Sequence, residues 1–247
     1  MANLMIVTCP LTQISYQLKR SARRRTIGLK IAEQGLVVFA PLALPQSCID
    51  LCMVEKKNWI IRHLQRRVQQ PIIDHLVMGK LPLLDETLNL QVVTDQCTAV
   101  SLDGATVWVQ LSSRIAPSNQ RAHLEKLITQ WYQQQAYVWF SARLLYWQQQ
   151  LAVEHSQLLV KQWRRKWGSC NSQGVVSLNW RLLLAPSWVA DYVVVHELAH
   201  LRHMNHSDKF WRLVAATYPK FKQAEAYLRE HQHRLFLTNS QNLAQDQ

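Results

Sequence analysis

Residues 196–200 read His196-Glu197-Leu198-Ala199-His200, and this run constrains the fold more than any other stretch of the chain. Two histidines at that spacing share a face when the backbone is helical, where both imidazoles can reach a single metal ion. Glu197 then lies beside the ion rather than on it, placed to take a proton from a metal-bound water. Two imidazoles do not hold a catalytic zinc ion, which takes three protein ligands and keeps one position open. His206, six residues after His200, is the expected third. His203 competes with it, because positions 196, 200 and 203 also share a helical face. Three ligands from one straight helix would have to fan around one tetrahedral ion, whereas a ligand beyond a turn approaches from another side. That geometry favours His206.

A pattern this short recurs by chance in unrelated chains, so its surroundings carry weight. The run from Trp188 to Val195 is apolar apart from Asp191, as expected of a helix buried in an enzyme core. Pro186 and Ser187 supply a helix start, with Ser187 as the expected cap of the first turn. Asn205 can take the left-handed conformation that ends a helix. A turn through Met204-Asn205-His206-Ser207 would swing His206 back toward the metal.

Trp167-Gly168-Ser169-Cys170, Leu178-Asn179-Trp180-Arg181-Leu182, the run Tyr192 to Leu201, Asn205-His206-Ser207 and Phe210-Trp211 stand in a distinctive order and spacing. In these motifs the chain resembles the YgjP-like family of zinc metallopeptidases, relatives of the SprT-like and WLM zincins. Arg23-Arg24-Arg25, an apolar strand ending at Pro41 and a helix carrying Lys57-Asn58-Trp59-Ile60 extend the resemblance upstream. It covers most of residues 10–236 and is least telling from 95 to 120. The resemblance implies a zincin-like α+β fold, with His196, His200 and His206 as zinc ligands and Glu197 as general base.

At 247 residues the chain can bury a substantial core. Hydrophobic residues make up 48 %, which excludes a disordered chain. No apolar run of about 18 residues occurs, so no membrane span is expected. The N-terminus has neither a basic start nor a long apolar stretch, and no secretory signal is expected. Cys9, Cys48, Cys52, Cys97 and Cys170 are scattered and contain no Cys-x-x-Cys pair. A reduced, cytoplasmic protein is the simplest expectation, with Cys48 and Cys52 packing on a helix.

The formal net charge is +12. Basic residues concentrate at 19–25, 62–67 and 161–166, which invites a polyanion or nucleic-acid partner, against the plainer expectation of solvated faces and loop tips. Lys161-Gln162-Trp163-Arg164-Arg165-Lys166-Trp167 interleaves cations with aromatics just ahead of the site motifs.

Periodicity organises the rest. Strands are expected over 12–19, 25–32 and 36–40, followed by one helix from Pro45 to about Val68 with Trp59, Ile60 and Leu64 on its apolar side. Shorter strands are expected near 76–82, 88–94 and 105–111, with Asp103-Gly104 as a hairpin turn. Pro117 opens a long helix to about Leu151, with Leu124, Leu127, Ile128, Trp131, Val138, Ala142 and Leu145 as its core stripe. Strands near 157–163 and 175–180 precede the histidine helix, and helices over about 207–217 and 220–236 close the chain. The expected organisation is a β-rich N-terminal region with one helix at 1–116, a metal-binding core at 117–237 and a flexible tail at 238–247.

The chemistry expected of these parts is hydrolysis by a zinc-activated water, with Glu197 moving the proton. The resemblance suggests that strand 175–180 pairs with an extended peptide at the cleft. Asn179 or Arg181 could orient substrate or serve the fold alone. Cys170 has no identifiable base beside it and is not expected to act as a nucleophile. A metallopeptidase acting on a peptide or protein is the leading reading. A zinc hydrolase of nucleotide phosphoanhydrides, or a nucleic-acid-associated protein acting on DNA-bound proteins, are the alternatives.

Overall fold

A computed structural model describes residues 5–32, 35–68 and 73–238, with the backbone alone for 5 and 66–68. The chain is mixed α and β and divides into two compact units, the first ending at Ile72 and the second running from Ile73. The side chains of Arg66 and Arg67, and the expected tail beyond 238, lie outside the described residues. Among the described residues no helix is long and apolar enough to cross a membrane.

The first unit holds β1 (Met5–Thr8), β2 (Ser15–Ser21), β3 (Gly28–Ala32), β4 (Gly35–Pro41), α1 (Gln46–Glu55) and α2 (Lys57–Val68). The sheet order is β1-β2-β4-β3, with β2 and β4 parallel and the outer pairs antiparallel. Tyr16, Leu18, Val38, Ile49, Met53 and Ile60 form its core. The single helix expected over 45–68 is two, because Lys56 leaves helical geometry at φ −95° and ψ 7°. Trp59, expected inside, is 39 % exposed and packs on His63 with ring centroids 4.3 Å apart. Part of the first basic cluster serves the fold. The Arg20 guanidinium donates to the carbonyls of Pro41, Leu42 and Leu44, and Arg24 lies over the Phe39 ring.

The second unit begins with α3 (His75–Met78), β5 (Lys80–Leu83), β6 (Glu86–Asp95), β7 (Ala99–Asp103) and β8 (Thr106–Ser112), in the sheet order β5-β6-β8-β7. The strand expected from 76 is helical up to Met78. Asp74 caps that turn by accepting from the Val77 amide, and Gly79 ends it in the left-handed region at φ 64°. β7, which lies between the expected strands 88–94 and 105–111, falls where the resemblance is least telling, and the Asp103-Gly104 turn joins it to β8.

The long α4 runs Pro117–Leu151. Its buried residues include Ile128, Tyr132, Ala136, Phe140 and Leu144, whereas Val138 and Leu145 of the expected stripe are 69 % and 56 % exposed. A strict four-residue repeat drifts round a helix of 3.6 residues per turn. The apolar content of α4 fits two neighbouring ridges, and tertiary packing selects one. Each large side chain buried there contributes about 1.5–3 kcal/mol.

Then follow β9 (Gln157–Lys161), β10 (Gly168–Cys170) and β11 (Val175–Asn179), a 3-10 turn (Trp180–Leu184), α5 (Ser187–Ala199), α6 (Asp208–Thr217) and α7 (Phe221–His231). The sheet order is β10-β11-β9. β11 pairs on both sides, so the strand expected to offer a free edge is the central one. β10 is the edge.

Candidate metal centre

α5 carries the histidine pair, and neighbouring elements hold it in place from several directions. Asp191, the polar exception in its apolar run, is 9 % exposed and accepts from Arg143 at 2.6 and 2.8 Å and from the Trp147 indole at 2.9 Å. Both partners project from α4, so this one carboxylate ties the two helices together. The expected cap by Ser187 is absent. The Ser187 amide instead donates to Asp85 at 3.1 Å, a carboxylate from the β5–β6 turn. The same turn is pinned where the Leu84 amide meets the Leu183 carbonyl at 2.6 Å.

The helix ends at Ala199, with His200 as its C-cap. Tight turns follow, as the amides of Arg202 and His203 both reach the Ala199 carbonyl. His203 is therefore off the helix, contrary to the expected geometry. Asn205 is not among the residues with positive φ, so the return of the chain does not use a left-handed asparagine. The loop brings His206 to His196, with their Nε2 atoms 3.0 Å apart. The ring nitrogens that His196, His200 and His206 could offer to a metal all lie within 4.8 Å of one another. His203 is outside this group.

Hydrogen bonds set the tautomers. The His200 Nδ1 lies 3.1 Å from the His203 carbonyl, which can only accept, so Nδ1 carries the proton and Nε2 keeps its lone pair. The competing histidine thus contributes its backbone oxygen. The Tyr192 hydroxyl donates to Glu225 at 3.1 Å and stands 3.4 Å from His196 Nδ1. A proton on that nitrogen likewise leaves the His196 Nε2 lone pair toward His206. Burial, reinforced by His200 and His206, lowers the His196 pKa to about 3. Burial also lowers that of His200. Neutral imidazoles are the form a metal requires. Phe210 is fully buried beneath the rings, 4.6 Å from His200, and Trp211 stacks on His206 at 5.7 Å.

Glu197 is 5 % exposed and faces a cavity of about 440 Å³ that His196, Tyr192, Glu225 and Lys166 also line. Burial pushes its carboxyl up to about 8, with Lys166 opposing. The floor beneath it is Gly168. A Cβ there would stand 2.5 Å from Glu197 Oε1 and 2.6 Å from its Cγ. In the sequence Gly168 stands out only as part of the Trp167-Gly168-Ser169-Cys170 motif. Its role as the one residue small enough to admit the carboxylate depends on a contact across the fold.

Other candidates resolve into structure. Asn179 donates to the carbonyls of Trp163 and Lys166 at 2.8 Å and accepts from the Arg181 amide, bracing the loop from β9 to β10. Arg181, 3 % exposed, also donates to the Trp163 carbonyl. Burial and then Glu197 push the Cys170 thiol up to about 11, which removes the thiolate a nucleophile needs. All five cysteines are free.

Three comparisons bear on this geometry. No curated protein matches the chain. One solved structure, the metallopeptidase zymogen of Pyrococcus abyssi abylysin, is similar at 21 % identity over 38 % of this chain and 95 % of that one, with a TM-score of 0.35. The model of the YgjP-like metallopeptidase domain matches residues 25–231. That span runs through both compact units and includes the three clustered histidines and Glu197, so the chain belongs to the YgjP-like metallopeptidase family.

Proposed function

We propose that this protein is a zinc metallopeptidase in which His196, His200 and His206 hold the metal and Glu197 is the general base. The observation that carries the reading is the convergence of three imidazole nitrogens within 4.8 Å, one of them from His196, which lines a cavity together with the buried carboxylate of Glu197. Three neutral nitrogen donors on a helix and its following loop fit zinc, which accepts imidazole and tetrahedral geometry. When bound, zinc supplies Lewis-acid chemistry, acidifying a water and polarising the carbonyl of the scissile bond.

The chain's own groups do the rest. Glu197 takes the proton of the attacking water and delivers it to the leaving amine. Burial raises its pKa in the metal-free site, and Lys166 and a bound cation would draw it back toward the ionised form that a base requires. Glu225 and Tyr192 hold the His196 ring, and the His203 carbonyl holds that of His200. β10, the sheet edge that carries Gly168 into the cavity, is the strand on which an extended peptide can pair.

Metal analysis and peptide cleavage test this reading. The purified protein is expected to hold about one zinc per chain. Alanine at His196, His200 or His206 should empty the site, and His203→Ala should not. Glu197→Gln should keep zinc and lose cleavage by about 10²–10⁴. Cleavage at the parent rate by Glu197→Gln, or zinc kept by His206→Ala but lost by His203→Ala, would overturn it.

A further inference from the structure

Three cavities adjoin around the histidine cluster. The central one shares Trp167 with a second and Glu225 with a third. Their charges differ. The central cavity sets Glu197 and Glu225 against Lys166 and Arg229, and the third sets Asp208 and Glu225 against Arg212 and Lys222. The second, about 220 Å³, is lined by Arg164, Arg165, His233, Gln232, Trp167 and Phe236, with no carboxylate among them.

The ground beneath that pocket is also positive. Arg181 is 3 % exposed, its guanidinium sits 4.4 Å over the Phe236 ring, and its Nε has no hydrogen-bond partner. The ion pairs among the described residues do not include it. Burial and then Arg164 lower its pKa to about 10, which marks a cation held without a counter-charge. Buried cations are ordinarily paired, and leaving one unpaired is costly. An anion seated beside Arg164 and Arg165 would supply the missing charge, and its oxygens would accept from the N–H donors that guanidinium groups present.

We infer that this pocket is a subsite for an acidic side chain of the substrate, and that Arg164 and Arg165 make the enzyme prefer peptides with Asp or Glu near the scissile bond. The inference rests on the peptidase reading above. Chain geometry sets the distance. Arg165 and Gly168 are three peptide links apart, so their Cα atoms stand no more than about 11 Å from one another. An extended substrate advances about 3.4 Å per residue and points alternate side chains the same way. The acidic residue therefore falls within about three positions of the bond beside Glu197. Trp167, which walls both cavities, separates the subsite from the reacting centre.

Two measurements on the zinc-loaded protein test it. The first incubates the parent and Arg164→Glu/Arg165→Glu with a synthetic peptide library and maps the cleaved bonds by mass spectrometry. The parent should enrich Asp and Glu at one position, and the charge-reversed protein should lose that enrichment or turn it to Lys and Arg. The second uses Glu197→Gln, in which binding is read without turnover. Fluorescent peptide pairs identical but for Glu or Gln at one position are titrated against it, with and without the charge reversal. The Glu member should bind about tenfold tighter, the ratio of one charge-assisted hydrogen bond, and the reversal should abolish the difference with zinc content unchanged. Equal binding of both members at every position, or a preference that survives the reversal, overturns the subsite. A Glu preference that the reversal abolishes, with no peptide cleaved by the parent, would retain the subsite and overturn the peptidase reading.

Discussion

Gly168 shows how a single residue can decide a site without touching a ligand. Its φ is unremarkable, and what demands glycine is the 2.5 Å between a would-be Cβ and Glu197 Oε1. Gly168→Ala must push the carboxylate aside, and a displacement of about 1 Å in a reacting group can cost about 10²-fold in rate. We expect that variant to fold and keep its zinc while losing about that factor in peptide cleavage. Cleavage at the parent rate would show that Glu197 has room to spare. His203 makes a related point. Its spacing from His200 made it a rival ligand, yet its contribution is a carbonyl that orients the rival's ring, something no side-chain motif encodes.

The element that matters most is α5, and its stability is borrowed from its neighbours. Its apolar run and the histidine spacing announce a buried helix, and the helix is there. The boundaries differ because they are set from outside. Asp85 supplies the cap in place of Ser187, and the chain turns at His200 rather than near Asn205. Asp191 is the joint to α4. Asp191→Ala leaves Arg143 and the Trp147 indole without their acceptor. Removing one partner of a buried pair should lower the unfolding free energy by about 3 kcal/mol. Urea denaturation reads that loss directly, and a change under 1 kcal/mol would mean that the clamp is incidental. Zinc occupancy should fall with it, since the same helix carries His196 and His200. The α4 stripe carries a similar lesson. Leu124 to Trp131 predicts the buried side in the first half of the helix, but beyond Trp131 the buried ridge follows Ala136, Phe140 and Leu144.

For the molecule as a whole, the histidines link stability to pH. Burial lowers the pKa of His75, His155, His196 and His200. For His75, hydrogen bonds to the backbone of Lys80 and Arg234 oppose that shift without reversing it. A depressed folded value means that the unfolded chain binds the proton first. Their contribution is therefore present above the unfolded value of about 6.5 and is lost as pH falls below it. Glu197 opposes them, because burial raises its carboxyl to about 8 and that contribution is lost as pH rises. The histidine share is therefore read by difference. On going from pH 7.5 to 5.5, the metal-free His75→Gln variant should lose less of its urea midpoint, or gain more, than the metal-free parent. Identical shifts in the two proteins contradict this. The compact division also departs from composition. The sheet of β5 to β8 was expected with the N-terminal region, whereas its compact unit is the one that begins at Ile73. The tip of its β5–β6 turn reaches α5.

What the sequence determined by itself is what short range can encode. Helical spacing placed His196 and His200 on one face, an apolar run buried them, a proline opened α4, and Asp103-Gly104 turned a hairpin. These depend on residues a few positions apart, whose geometry the backbone sets once the element forms. Tertiary structure alone decided which strand is the edge, which ridge of α4 is buried, why position 168 is glycine and where the capping carboxylate comes from. Asp85 and Ser187 are 102 residues apart, and Arg143 and Asp191 are 48. Contacts at such separations arise from the packing of whole elements, and no local period records which partner the packing will supply.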